Sequence, residues 1–265
     1  MEAIMDDTVI SLGILQVALA YVFVVILLII IRARGIKREK EILVSSVRMT
    51  LQLILVGFLL VYIFDNPNPL ITIGIIALMI TFSLFTVIKK FKGQISKPLK
   101  LVIVFAMSTG SVLCLFYFLL IVIQVSPWYD PRYFIPIAGM IIGNSMTGLT
   151  LGAKSLIEGM TEQRAFVEEA LILGATPKAA SKKIINNSFD SAILPTINSM
   201  LGMGIVFLPG MMTGQILSGT SPLTAIAYQI AIMLGILGSV SLTVILMLQL
   251  GYKTFFNRQG QLIQN

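Results

Sequence analysis

Residues 8–31 read TVISLGILQVALAYVFVVILLIII, and residues 32–40 read RARGIKREK. The first stretch, Thr8 to Ile31, is 24 residues without a charge. A helix crosses the bilayer core with about 20 apolar residues, because each residue adds about 1.5 Å and the core is about 30 Å thick. Glu2, Asp6 and Asp7 stand before the stretch, and Arg32, Arg34, Lys37, Arg38 and Lys40 come after it. A secretory signal has the opposite layout, with its positive charges first and a small-residue cleavage site last. The pattern therefore predicts a retained membrane helix, N-terminal end outside and basic end in the cytoplasm.

The same alternation continues along the chain. Ile42 to Phe64 is a second apolar run, holding Arg48, and Asp65-Asn66-Pro67-Asn68-Pro69 ends it in a turn that two prolines enforce. Leu70 to Ile88 is a third, succeeded by Lys89, Lys90, Lys92, Lys97 and Lys100. Leu101 to Val125 is a fourth, and Pro127-Trp128-Tyr129-Asp130-Pro131 then turns the chain with aromatics suited to the headgroup layer. Tyr133 to Ala153 is a fifth. Lys154 to Asp190 mixes charge with apolar residues and cannot span. Ser191 to Tyr252 carries no charge over 62 residues, more than two ordinary helices use. Its middle, Leu208-Pro209-Gly210-Met211-Met212-Thr213-Gly214-Gln215 and then Ser218-Gly219-Thr220-Ser221-Pro222, is rich in helix breakers. This predicts a sixth span near Ser191–Leu208, a broken segment, and a seventh near Pro222–Leu250.

The basic residues support that layout. With seven spans, 17 of the 19 Lys and Arg fall in cytoplasmic loops, Arg48 lies within a span and Arg132 alone falls outside. This bias predicts an N-out, C-in orientation. Three passes within 191–252 would instead put Lys253 and Arg258 outside, and two charges do not exclude that. The expected fold is an all-α, polytopic integral membrane helix bundle of about seven transmembrane helices in one domain, 1–265.

Composition limits the chemistry. Of 265 residues, 57% are hydrophobic and 12% charged, against about 25% charged in soluble domains. There is no His and one Cys, Cys114, which excludes disulfides, zinc fingers, His-ligated metals and Cys/His catalysis. The net charge of +7 arises from cytoplasmic loops and is no sign of nucleic acid. No Gly-x-x-x-x-Gly-Lys-[Ser/Thr] loop occurs, so the chain does not cradle a nucleotide phosphate that way.

The segment 154–190 is the most informative part. Val167, Ala170, Leu171 and Gly174 recur at helical spacing, with Glu158, Glu162, Arg164, Glu168 and Glu169 interleaved. Gly174 can end that helix in a left-handed turn. Thr176-Pro177 then has the chemistry of a helix start, cap before first-turn proline. Ile184, Ile185 and Phe189 line one side of the new helix, beside Lys178, Lys182 and Lys183, and the chain is expected to re-enter the bilayer near Pro195. Two readings stand for this amphipathic pair: a surface connector, or an element that docks into a cytosolic partner and transmits its motion.

Here the chain resembles a known family. Glu168-Glu169-Ala170-Leu171-Ile172-Leu173-Gly174-Ala175-Thr176 resembles the coupling loop of ABC-transporter permeases, although Ile193-Leu194-Pro195 comes about nine residues later than that pattern expects. Pro195-Thr196-Ile197-Asn198-Ser199-Met200, Leu208 to Leu217, Pro222 and Tyr228-Gln229-Ile230 resemble blocks of the FetB family, as do Arg48 with Gln52 and Gly143-Asn144-Ser145-Met146-Thr147-Gly148. That family comprises membrane subunits of bacterial ABC exporters linked to iron, related to plant permeases of aluminium tolerance. The resemblance covers roughly residues 40–250. It implies a cell-membrane permease that is not itself an enzyme. Such a permease moves substrate outward with ATP and Mg²⁺ held by a separate ABC ATPase, two permeases pairing with two ATPases. By the same resemblance, Glu168, Glu169, Ala170, Gly174, Thr176 and Pro177 couple to that ATPase, and the substrate is iron or a related metal. A non-metal substrate such as a nucleotide sugar is the alternative. An ion-coupled carrier is disfavoured, because such carriers place Asp, Glu or His in the membrane and the expected spans hold only Arg48.

Other residues carry paired readings. Arg48 can snorkel to the cytoplasmic headgroups or, with Gln52 one turn deeper, form a polar contact in the bundle. Gly139-x-x-x-Gly143 and Gly148-x-x-x-Gly152 allow close helix approach, within one subunit or between two. Asn144 needs a hydrogen-bond partner or a wet pathway, and Asn198 is a second pathway candidate. Met211, Met212, Thr213 and Gln215 form either an outer gate or a plain extracellular turn. The thioethers of Met200, Met203, Met211 and Met212 read as flexible filler or as soft metal ligands, and no metal-ligand set is assigned.

The orientation has a direct test. In a Cys114→Ser background, single cysteines at Asn68 and Trp128 are expected to label with an impermeant thiol reagent from outside, and cysteines at Gln94 and Lys182 only from inside. Outside labelling at Lys182 would remove the topology and the coupling role together.

Overall fold

The computed structural model describes residues 12–91, 93 and 95–263. Glu2, Asp6, Asp7, Thr8, Lys92 and Gln94 lie outside the described residues. All regular elements among the described residues are helical. Two compact units are distinguished, residues 1–66 with 214–220 and residues 67–213 with 221–265.

In the first unit, α1 (Ile14–Ala33) and α2 (Glu39–Asp65) are long apolar helices. α1 ends at Gly35, whose φ of +68° is left-handed, with Ile36 N–H donating to Ile31 O at 2.9 Å. The Tyr21 hydroxyl ties α1 to α2 by bonding Thr50 Oγ1 and donating to Ser46 O at 3.2 Å. Most of their large apolar side chains are exposed, which lipid accommodates without cost.

The second unit holds α3 (Pro69–Lys90), α4 (Lys97–Tyr117), α5 (Pro131–Glu162), α6 (Arg164–Ile172), α7 (Pro177–Ala180), α8 (Lys182–Gly202) and α10 (Pro222–Gly251). α9 (Gly210–Leu217) lies across the division, which falls between Thr213 and Gly214. A π-helical turn, Phe118–Ile123, extends α4, and a 3₁₀ turn, Tyr252–Phe255, extends α10. One local device starts five of these helices: a capping oxygen with proline in the first turn. Asn68 caps α3 ahead of Pro69, Ser96 caps α4 ahead of Pro98, and Asp130 caps α5 ahead of Pro131. Thr176 caps α7 ahead of Pro177, and Ser221 caps α10 ahead of Pro222. Each side chain accepts a backbone N–H that the helix cannot satisfy itself, and proline has none to lose. The turns expected at 65–69 and 127–131 are thus helix starts as well.

The core lies where α4, α5, α8 and α10 meet. Leu99, Ile103, Met107 and Leu115 of α4, Phe134, Ile141, Leu149 and Leu156 of α5, Ile184 and Ala192 of α8, and Val240, Val244 and Met247 of α10 are buried in one cluster. Lipid tails are as apolar as these side chains, so backbone proximity rather than water exclusion must hold the helices. Glycine supplies it. A Cβ on Gly110 would lie 2.9 Å from Thr243 Cα, and one on Gly148 would lie 2.6 Å from Val240 Cγ1 and 3.3 Å from Ala192 O. Gly152 meets Ala192 and Met247, and Gly159 meets Ile184. Gly148-x-x-x-Gly152 is therefore packing within one subunit. Gly139 faces Met79 of α3, whereas nothing lies within 4 Å of a Cβ on Gly143. Ser145 and Ser239 bond across α5 and α10 at 2.8 Å, fully buried.

Six helices are long and apolar enough to cross a membrane among the described residues: α1, α2, α3, α4 with its extension, α5, and α10 with its extension. The sixth of the seven expected crossings differs. The helix expected from Ser191 to Leu208 has other bounds: it is α8, which begins at Lys182, runs through Pro195 without a break, and ends at Gly202. α8 has the length to cross, but Lys182, Lys183, Asn186, Asn187 and Asp190 make its first half too polar for lipid contact. The fifth helix continues past Ala153 into the amphipathic segment and reaches Glu162, where the chain breaks at Gln163 before α6. Gly214, expected to break the helix, lies inside α9, while Pro209, Gly210, Gly219 and Pro222 do stand at helix ends.

The Gly110 contact has a measurable consequence. Gly110→Ala forces a side chain against the backbone of α10, and overpacking of this kind costs about 1–3 kcal/mol. The unfolding midpoint of the detergent-solubilised protein is expected to fall by several degrees. Gly143→Ala, with open space around it, is expected to leave the midpoint unchanged.

Candidate translocation and coupling site

The connection from α5 to α8 is built as the sequence predicts locally. Val167 is fully buried, and Ala170 and Leu171 pack against the core from α6. Gly174 has φ +90°, Ala175 N–H donates to Ala170 O at 2.9 Å, and Gly174 N–H donates to Leu171 O at 3.0 Å. These two bonds make a complete Schellman motif, which only glycine enters without strain. Thr176 Oγ1 then accepts Ala179 N–H at 3.3 Å, and Ser181 Oγ donates to Pro177 O at 2.7 Å. Ile184 and Ile185 are buried, whereas Lys178, Lys182 and Lys183 are exposed.

The two glutamates of this element differ. Glu168 accepts from Arg164 Nε at 2.8 Å one turn away, and Glu169 is exposed. The apolar residues between Glu169 and Gly174 point outward at its end: Ile172 is 84% and Leu173 87% exposed, and Phe166 is 55% exposed. A helix–glycine–helix corner thus displays large apolar side chains beside charged ones.

A second feature is a polar face along α5 and α8. Asn144 is exposed, with Nδ2 donating to Met140 O at 2.8 Å, which leaves its carbonyl oxygen open to other donors. Thr147, next on that face, donates to Gly143 O. On α8, Asn187, Asp190, Ser191 and Asn198 are exposed. Asp190 and Asn186 line a pocket of about 380 Å³ with Gln249 of α10. Asp190 and Gln249 escape sequence reasoning. Asp190 closes the expected cytoplasmic segment, and Gln249 stands in an apolar run with no pattern to mark it. Among the described residues, no three of His, Cys, Asp and Glu converge to hold a metal ion. A larger cavity of about 930 Å³, between Leu113, Tyr117 and Phe118 on one side and Ile230, Leu234 and Gly238 on the other, is almost purely apolar and does not suit a hydrated cation.

The third feature is the segment from Met203 to Ser221. Gly204 is left-handed and its N–H donates to Phe207 O at 3.0 Å, closing a tight turn after α8. Gln229, buried on α10, donates to Met203 Sδ at 3.7 Å. Within α9, Met212 is buried and Met211 and Thr213 are half-buried, with Thr213 Oγ1 donating to Pro209 O at 3.1 Å. Gln215 Oε1 is buried without a hydrogen-bond partner, a state that costs about 1–3 kcal/mol when nothing answers it. In the other unit, Arg48 and Gln52 are exposed one turn apart on α2. The structure brings Asn144 and Asn198 to exposed positions of two packed helices and keeps Glu168, Glu169, Ala170, Gly174, Thr176 and Pro177 together in one corner.

Residues 14–256 match UPF0014, described as an uncharacterised protein family. The chain is 35% identical over 249 residues to the probable iron export permease protein FetB of Escherichia coli, covering 94% of each. It is 34% identical over 230 residues to the UPF0014 membrane protein slr1647 of Synechocystis, covering 87% of this chain and 88% of that one. It is 33% identical over 253 residues to the protein ALUMINUM SENSITIVE 3 of Arabidopsis thaliana, covering 94% and 90%. No solved structure matches.

Proposed function

The chain belongs to the UPF0014 family of multi-pass membrane proteins, and from that premise we propose that it is the membrane-spanning permease of an ABC exporter in the cell membrane. The observation that carries this reading is the corner from α6 through Gly174 to α7. It exposes Ile172 and Leu173 almost fully, on the face that the basic residues assign to the cytoplasm. Large apolar side chains standing in water mark a surface that a partner covers. A separate ATPase, holding ATP and Mg²⁺, docks there and moves the corner. Gly174, Thr176 and Pro177 set its shape, Glu169 offers charge, and Ala170 anchors α6 to the core.

The pathway rests on the polar face of α5 and α8. Amides and hydroxyls at bilayer depth must meet protein or water, not lipid. A second copy facing the first across Asn144, Thr147, Ser191 and Asn198 would enclose that face as a wet route, with Asp190 at its inner mouth. Met211, Met212, Thr213 and Gln215 form the outer gate, where the carbonyl of Gln215 is buried with no hydrogen-bond partner among the described residues. Iron or a related metal is the substrate, by the relation to the iron export permease. Such a cation would pass hydrated or chelated along amides. The same amide-and-hydroxyl lining favours, as a second reading, a hydroxyl-rich solute such as a nucleotide sugar.

Reconstitution with the ATPase is expected to show substrate-stimulated ATP hydrolysis, and a screen of metal ions and nucleotide sugars separates the two substrates. Gly174→Val is expected to insert normally and to lose transport while hydrolysis continues; transport at the normal rate would reduce the corner to a connector. Cysteines placed at Met212 and Gln215, in a Cys114→Ser background, are expected to cross-link two copies with a yield that changes when ATP is trapped. Constant yields together with full transport by Gln215→Ala would reject the gate.

A further inference from the structure

The chain does not fray after α10. Phe255 to Ile263 folds into a closed turn around one side chain. Asn257 Oδ1 accepts the N–H groups of Gln259 and Gln261, each at 2.9 Å, and Asn257 N–H donates to Gln261 O at 2.8 Å. Ile263 N–H donates to Phe255 O at 2.9 Å, and Gly260 makes the bend with φ +78°. Phe255, Phe256 and Leu262 pack against the core. A segment with this many internal bonds is pre-organised and presents its side chains in fixed places.

The turn sits against the coupling corner. Arg164 Nη1 donates to Ile263 O at 3.5 Å, and the space where a Gly260 Cβ would stand is 3.4 Å from Pro177 Cγ. Between them lies a cleft of about 510 Å³, with Glu168, Ile172 and Pro177 on one wall and Gln259, Gln261 and Leu262 on the other. The carboxamides of Gln259 and Gln261 are exposed, as are Arg258 and Lys253 beside them and Lys178 on α7. The cleft is therefore rich in hydrogen-bonding groups, and its charged lining is the Arg164–Glu168 pair. Ile172 stands in its wall with exposed Leu173 next in sequence, and the exposed Lys178, Lys253 and Arg258 lie on the elements that form it.

We propose that the turn Phe255–Ile263 is the second half of the ATPase docking surface, so that the partner grips α6–α7 and the end of α10 together. This rests on the permease reading above. The occupant is the ATPase, through a projection that sets an apolar side chain against Ile172 and Leu173, donates or accepts hydrogen bonds at Gln259 and Gln261, and carries acidic residues toward Lys178, Lys253 and Arg258. The consequence is mechanical. Motion of the ATPase reaches α10 directly, and with it Gln229, Met203 and the segment beyond α8, rather than only through α5 and α8.

The test places photo-activatable p-benzoylphenylalanine at Leu173, at Gln259, at Gln261 and, as a control distant in sequence, at Asn68, in cells that hold the ATPase. Adducts of permease and ATPase are expected from Leu173, Gln259 and Gln261, and none from Asn68. Adducts from Leu173 without any from Gln259 and Gln261 would overturn the proposal and leave the permease reading standing. No adduct anywhere, with no ATPase retained by the purified wild-type protein, would overturn both. Gly260→Val strains the bend and meets Pro177, so it is expected to weaken ATPase retention roughly tenfold at unchanged membrane insertion. Retention equal to wild type would overturn the proposal.

Discussion

A helix that opens with Lys182, Lys183, Asn186, Asn187 and Asp190 cannot stand in lipid by itself, and the arrangement around α8 answers that constraint. Gly148, Gly152 and Gly159 bring α5 close enough that the backbone and small side chains of α8 touch it directly. Ala192 meets two of these glycines, and Ile184 meets the third. α10 closes the other side through Val240, Val244 and Met247. Ile184, Ile185 and Ala192 of α8 are thereby buried, with the hydroxyls of Ser188 and Thr196, while Asn187, Asp190, Ser191 and Asn198 stay exposed alongside Leu194 and Leu201. Water-driven burial does not operate among helices in a bilayer, so this shape complementarity and the Ser145–Ser239 hydrogen bond are what hold the bundle.

The exposed polar residues of α5 and α8 set a second constraint. A bundle made only to be stable in lipid would have no reason to turn Asn144, Thr147, Ser191 and Asn198 outward. Each polar group at bilayer depth demands a protein or aqueous neighbour, and on the proposed reading a paired copy would supply both. The same logic applies to Gln215, whose buried carbonyl has no answer within the described chain. At the cytoplasmic end the sign of the problem reverses. There Ile172 and Leu173 are 84% and 87% exposed, and on the proposed reading a protein partner would remove the cost of leaving them in water. The exposed polar residues of α5 and α8 and the exposed apolar pair of the α6 corner are the two surfaces on which the proposed partners would act.

Much of this is legible in the linear chain because it depends on neighbours in sequence. Each charge-bounded apolar run but the sixth corresponds to one helix, and α5 runs on past Ala153 through Lys154 and Glu158 to Glu162, since charge ends contact with lipid without ending a helix. Gly174 and Thr176-Pro177 behave as expected, since a left-handed turn and a helix cap involve only a few consecutive residues. The sixth run departs from expectation because charge does not mark its boundary. A backbone helix continues through Asp190 as readily as through alanine when packing shelters it, and α8 begins nine residues earlier than Ser191. Gly214 does not break α9, because glycine costs a helix only about 1 kcal/mol, which context overrides.

The amino-acid sequence by itself determined that this is a helical membrane protein, where most helices start, and which corner turns on a glycine, because hydropathy, proline and left-handed φ act locally. Tertiary structure alone decided which of two identical Gly-x-x-x-Gly patterns packs inside the subunit and which helix carries its polar groups outward. It also decided that the turn after α10 closes on the corner after α6. These outcomes depend on what lies across a gap of a few ångströms between segments many residues apart, and no periodicity in the chain records that distance.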